Sequence, residues 1–231
     1  MRPEDLPGIL PDSQPDPALL ERMAADLARD LRPVQPLPSP GRLVAELLAV
    51  FAGVSALGGA ALGYFGVRHL GPGAIGLIFP ALGGLALLAA AASVNAMTPG
   101  SRRPFHPAVL LAAACAAMAA ICLLIFRDHS LGSYVPQGVT CLKAGLLWAA
   151  PTAILVWLVL RRGYAVDRAA AGIAAGTLAG LAGLTVLELH CPNFRLWHIA
   201  VWHLGVVPVA AALVAAIYFF GSKRRDAELM Q

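Results

Sequence analysis

The sequence predicts an all-α fold, an integral membrane bundle of six transmembrane helices with a short cytoplasmic N-terminal amphipathic helix. Three observations predict it. Only 13% of the 231 residues are charged and 58% are apolar, whereas a soluble domain of this size carries about 25% charged residues. The apolar residues come in six blocks, each close to or longer than the roughly 20 residues that cross about 30 Å of hydrocarbon. The basic residues are shared unevenly between the segments joining those blocks.

Taken in order, the spans are expected at Leu43–Val67, Ala74–Met97, Pro107–Phe126, Leu142–Leu160, Ala169–Leu189 and Ile199–Phe220. The fifth is mostly alanine and glycine, so its edges are the least sharply defined. No apolar stretch followed by a small-residue cleavage site occurs in the first 42 residues, so the first span is expected to serve as its own insertion signal.

Charge placement sets the expected topology. Arg2, Arg22, Arg29, Arg32 and Arg42 precede span one; Arg102 and Arg103 follow span two; Arg161, Arg162 and Arg168 follow span four; Lys223, Arg224 and Arg225 follow span six. The opposite side holds only Arg68, Arg127, Lys143 and Arg195. Basic residues near span ends stay in the cytoplasm, so both termini are expected there, in a bacterial inner membrane. The net charge of +4 is thus explained by topology, and no direct nucleic-acid contact is expected.

Three regions follow: a cytoplasmic segment over residues 1–42, the six-helix domain over 43–220, and a basic cytoplasmic tail over 221–231. The first opens with Pro3, Pro7, Pro11 and Pro15, a leader expected to be disordered. Asp16 then reads as a helix N-cap with Pro17 at the first helical position, and the helix is expected over 17–31. Leu19, Leu20, Met23, Leu27 and Leu31 line one face, with Asp26, Arg29 and Asp30 on the polar side. Pro33, Pro36, Pro38 and Pro40 end the helix and form a stiff spacer.

A helix of this length is marginal alone in water, so the stripe needs a partner. The alternatives are the bilayer, the inner loops of the same chain, or another protein. A surface-binding helix is rich in Lys and Arg and this one is balanced, so docking into a groove of a protein partner is preferred.

Within the spans, Gly172, Gly176 and Gly180 recur at four-residue spacing, as do Gly59 and Gly63. Such rows let helix backbones approach closely. No internal repeat of the kind that builds many transporters is present.

Of the four cysteines, Cys115 and Cys122 sit inside span three and read as small apolar packing residues. Cys141 and Cys191 fall at the outer ends of spans four and five, in a compartment where thiols pair or react if it is a periplasm. Cys191 lies in a polar stretch with Glu188, His190, Asn193, His198 and His203, and Asp128 and His129 lie on the same side. Three readings compete: a static disulfide, a reversible thiol sensor whose thiolate nearby histidines favour, and a bound soft metal. Against the metal, no C-x-x-C or H-x-x-x-H spacing occurs, and His198 and His203, five apart, do not share a face at α-helical spacing. No metal and no cofactor is assigned. Trp197, Trp202 and Tyr134 read as interfacial belt residues. No acid–base pair is evident at mid-membrane, where an ion path places one, and no P-loop, HExxH or GxSxG motif occurs, so no catalytic residue is assigned and an enzyme is not expected.

Four stretches carry a likeness. They are Ala25-Asp26-Leu27 through Leu31-Arg32-Pro33-Val34 with Pro36-Leu37-Pro38; Cys141 followed by Pro151 and Arg161-Arg162-Gly163; His190-Cys191-Pro192; and Trp202-His203-Leu204-Gly205. Through them the chain, from about residue 21 onward, resembles the NrsF family, negative regulators of an extracytoplasmic-function (ECF) sigma factor. The resemblance implies a six-span anti-sigma factor whose cytoplasmic N-terminal segment holds the sigma factor inactive. It implies that Cys141 and Cys191 respond to heavy-metal or oxidative stress. Joined to the reading of the residues themselves, it sets His190, His198, His203 and Glu188 around that sensor and Leu19, Leu20, Met23, Leu27 and Leu31 as the expected contacts to the sigma factor. The proline-rich leader and Leu204 depart from the family pattern. The rival class is a small-molecule or metal-ion transporter with a regulatory tail, and a third is a scaffolding membrane subunit.

Overall fold

Prolines mark where most of the helices begin. The computed structural model describes residues 16–30, 37–98, 100–101, 105–131, 134–163, 165 and 167–228. Contacts divide the chain into two units, Met1–Pro36 and Leu37–Gln231.

In the first unit, α1 spans Pro17–Asp30. The carboxylate of Asp16 accepts a hydrogen bond from the Ala18 amide at 3.0 Å, and Pro17 costs the first turn no hydrogen bond. Leu19, Leu20, Met23 and Leu27 are exposed. Leu31, the proline-rich leader, and Pro33 and Pro36 of the spacer lie outside the described residues.

The second unit is built from α2 (Pro40–Leu62), α3 (Phe65–His69), α4 (Pro72–Met97), α5 (Pro107–Ile125), α6 (Tyr134–Leu160), α7 (Arg168–His190), a wide turn over His198–His203, and α8 (Val206–Glu228). No strand occurs among the described residues, only an isolated bridge between Asp128 and Arg195. Among the described residues, six helices are long and apolar enough to cross a membrane, the last counted from His198 to Phe220.

Proline stands in the first turn of α2, α4 and α5, where its missing N–H leaves no bond unmade. Side chains cap two helices: His106 accepts from Ala108 at 3.2 Å and Asp167 from Ala170 at 2.9 Å. The first span ends earlier than hydropathy predicts. Gly63 adopts φ +91°, a left-handed conformation open to glycine at no steric cost. The chain therefore stops at Leu62 and restarts as α3, and Gly63 is a helix terminator rather than part of a packing row. The fourth helix instead starts eight residues earlier than predicted, at Tyr134. Its first two turns contain Gln137 and Thr140, which hydropathy reads as loop. Cys141 therefore sits two turns inside α6.

Around α7 the other spanning helices form a sheath. Its residues from Ala170 to Glu188 are buried except for the half-buried Ile173, and its small side chains let neighbours approach to backbone distance. A Cβ on Gly172, Gly176 or Gly180 would stand 2.6 Å from the Cα of Ala215, Ala211 or Val207 of α8. Gly183 lies against the Gly145 carbonyl of α6. The buried hydroxyls of α7 satisfy themselves on their own helix: Thr177 donates to the Ile173 carbonyl at 2.8 Å and Thr185 to Leu181 at 2.8 Å, as Ser and Thr do where water is absent. On the outside, Leu57, Leu88, Leu123, Leu124, Leu147, Ile154 and Ile217 are exposed, the surface that hydrocarbon solvates.

Contacts define two ends of the bundle. At one, Glu46 of α2 meets Arg42 at 3.0 Å and Arg162 at 3.7 Å, and Gly163 lies against Met97. Arg102 and Arg103 fall outside the described residues. At the other end lie Gly63, the 126–131 segment, the start of α6, and the chain from His190 to His203.

Candidate functional site

At this second end the chain leaving α7 is tied down on three sides. The Asp128 carboxylate pairs with Arg195 at 3.7 Å, and the Leu196 amide donates to the Asp128 carbonyl at 2.8 Å. Asn193 donates to Gln137 of α6 at 3.0 Å. Phe194 stacks on Phe126, with centroids 5.9 Å apart and planes nearly parallel. The amide and hydroxyl of Ser130 hold the Asp128 carboxyl below the usual range, and Arg195 and His129 add to the effect.

Between these ties sits a thiol–imidazole cluster. Cys141 Sγ, from α6, lies 3.7 Å from Cys191 Sγ, the residue that ends α7. Both cysteines are free thiols. His198 Nε2 stands 3.7 Å from Cys191 Sγ, and the His198 and His203 rings meet edge to face with centroids 5.1 Å apart. The ligand atoms of Cys141, Cys191, His198 and His203 all lie within 4.8 Å of one another. Both histidines and Cys191 are buried and Cys141 is half-buried.

The expectation that His198 and His203 occupy different faces is corrected here. Between them the backbone forms a π-turn, in which the Leu204 amide donates to the Ile199 carbonyl at 3.0 Å, five residues back. Residues five apart then stack as residues four apart do in an α-helix. Such wide turns concentrate at functional sites. The sequence signal for it is Pro208, which lacks the N–H that a continuous α-helix would direct to Leu204, so α8 starts afresh at Val206.

Behind the cluster, Glu188 is buried and its Oε1 lies 2.9 Å from His203 Nδ1. The imidazole donates from Nδ1 to the carboxylate, which leaves Nε2 on the side of the thiols. That Nε2 is buried without a hydrogen-bond partner, as is Nδ1 of His198. The hydrogen bond from Cys141 holds the Cys191 thiol below the ordinary thiol range, opposed by burial and aided by His198 and His203. A depression of about 510 Å³, lined by Cys141, Cys191, His198, Pro136, Gln137 and Thr140 among others, leads to the thiols.

Of the residues the sequence singles out, Cys141, Cys191, His198, His203 and Glu188 converge. His190 does not: its ring turns to the Gly63 carbonyl at 3.2 Å and packs edge-on to Phe65. It anchors the α2–α3 break rather than facing the thiols. Trp202 lies 5.5 Å from Tyr134 and against Gly138, where a Cβ would collide with the indole. Gly138 and Gln137 shape the site and carried no signal beyond ordinary polarity. Cys122 is buried and Cys115 half-buried in α5, both among apolar residues of the core.

Fold and site together define a polytopic α-helical membrane protein with a paired-thiol centre at one end of the bundle. The family model of NrsF, negative regulator of sigma F, matches residues 27–219. The chain therefore belongs to the NrsF family of negative regulators of a sigma factor. No curated protein and no solved structure matches it.

Proposed function

We propose that this protein is an anti-sigma factor of the bacterial inner membrane that sequesters an ECF-type sigma factor and releases it under metal or oxidative stress. Its role is binding and release, with no catalysis. Family membership over residues 27–219 is the observation that carries the regulatory half. The sensing half rests on Cys141 and Cys191, 3.7 Å apart beside two imidazoles.

In this reading the thiol end of the bundle faces the periplasm and both termini face the cytoplasm. The excess of basic residues in the segments at the other end supports that orientation. The stripe of Leu19, Leu20, Met23, Leu27 and Leu31 docks in a groove on the sigma factor. A change at Cys141 and Cys191 alters the seating of α7 against α6 and α8. Any such switch requires a stimulus that binds or modifies one state better than the other.

Co-purification tests the regulatory half. The full chain should retain a small sigma subunit, and Leu20→Asp with Leu27→Asp should release it without changing the membrane domain. Retention at wild-type level by the double variant would remove the stripe from the interface. Cys141→Ser and Cys191→Ser should each lock the response in a sigma-dependent reporter. If both single variants respond normally to metal and oxidant, the sensing half fails.

A further inference from the structure

We propose that Cys141, Cys191, His198 and His203 form a closed four-ligand site for a soft or borderline divalent d10 cation, of the Zn²⁺ or Cd²⁺ class. This deepens the reading above by naming the ligand of the same centre, while its geometry stands independently of any sigma factor.

The distances carry the argument. With Zn–S near 2.3 Å and Zn–N near 2.0–2.1 Å, an ideal tetrahedron has S···S edges of about 3.8 Å and S···N edges of about 3.6 Å. The two sulfurs stand 3.7 Å apart, and Cys191 Sγ stands 3.7 Å from His198 Nε2. No pair of ligand atoms is separated by more than 4.8 Å, so the widest edge needs to close by about 1.5 Å at most. Four donors already surround one point.

The chemistry of the donors agrees. Two thiolates neutralise a divalent cation, so that the cation and its four ligands together carry no net charge. Thiolate and imidazole select Zn²⁺ and Cd²⁺ over Mg²⁺ and Ca²⁺. Binding sends to solvent whatever protons the two thiols and the two ligating imidazole nitrogens carry; no electron is transferred. His203 is 1% exposed and its Nε2 has no hydrogen-bond partner. A disulfide would leave that nitrogen orphaned, whereas a metal takes its lone pair. Glu188 receives the other ring N–H, the carboxylate–histidine arrangement that orients metal-bound imidazoles. The π-turn provides the two nitrogens from one short stretch of chain.

The test uses the full chain in detergent, reduced, stripped with a chelator, then loaded with Zn²⁺ or Cd²⁺ and desalted. Bound metal is counted by mass spectrometry, and the thiolate-to-cadmium charge-transfer band is read in the ultraviolet. One ion per chain and a thiolate band are expected. Cys141→Ser, Cys191→Ser and His198→Ala should lose the ion. His203→Ala would leave Glu188 unpaired, so the double variant Glu188→Gln with His203→Ala is used, its fold checked by thermal unfolding. Glu188→Gln alone should keep the stoichiometry and weaken affinity by about 10–100-fold. Failure of the reduced wild type to hold an ion overturns the site, as does retention by the folded histidine variants. Sigma-factor capture is measured separately. A chain that captures the sigma factor when metal-free but holds no metal when loaded removes the site alone, whereas one that holds metal when loaded yet captures nothing when reduced and metal-free removes the regulatory reading alone.

Discussion

A carboxylate buried among apolar side chains costs several kcal/mol unless it is paired, and Glu188 has His203 for that purpose. Glu188→Ala leaves the imidazole donor without its acceptor, and should lower stability by about 1–3 kcal/mol; Glu188→Gln keeps an acceptor and should lose less. Thermal unfolding in detergent separates the two. Cys141 and Cys191 stand close enough that mild oxidant should join them, while Cys115 and Cys122 stay free. Counting alkylated thiols before and after oxidation should show a loss of two, and Gly138→Val, which drives Trp202 from its seat, should reduce that yield. At this scale the sequence revealed the membership of the cluster but not its shape. Cys191, Glu188, His198 and His203 are visible as one polar stretch between apolar runs. The approach of Cys141 across 50 positions was inferred only as adjacent helix ends, and the pairing of His198 with His203 was hidden by assuming α-helical spacing. His190 misled for a related reason: proximity in sequence to Cys191 says nothing of which way a residue at a helix end turns.

At the scale of elements, the seam between α7 and α8 depends on missing side chains. Gly176→Val should push α8 off its partner and lower stability by about 1–3 kcal/mol or more. Gly84→Ala, at a position where a Cβ meets nothing within 4 Å, should be neutral or slightly stabilising. Thermal unfolding of the two in parallel controls for glycine replacement itself. The loop tie between Asp128 and Arg195 makes a pH prediction. Because the Asp128 carboxyl is held low, chiefly by Ser130, the charged form is favoured in the fold. The tie is present above the ordinary carboxylate range and is lost only as pH falls through the lowered value. A carboxyl titration by NMR should find Asp128 among the last aspartates to protonate. Span number and order were legible here, because twenty apolar residues have few other uses. The ends were less so: hydropathy ends a helix where polar residues start, yet α6 runs two turns past that point and α2 stops short of it at Gly63.

For the molecule as a whole, the distribution of charge makes the strongest claim. An impermeant maleimide should label Cys141 or Cys191 in intact, reduced spheroplasts after mild unfolding, and a reporter fused at Gln231 should read cytoplasm. Absence of labelling there would reverse the proposed direction of signalling. The family was legible from short motifs around the thiols and the Trp202-His203 pair, and its match covers residues 27–219.

The encasement of α7 also bears on how the chain is made. This helix is apolar enough to cross a membrane, yet it is enclosed by its neighbours rather than turned to lipid. During synthesis α7 emerges before α8, the helix that fits its glycine row most closely. The two are therefore expected to settle in the bilayer as a hairpin whose seam is that glycine row. Truncation before residue 206 should thus leave the glycine row of α7 uncovered and the remaining five spans less resistant to thermal unfolding in detergent.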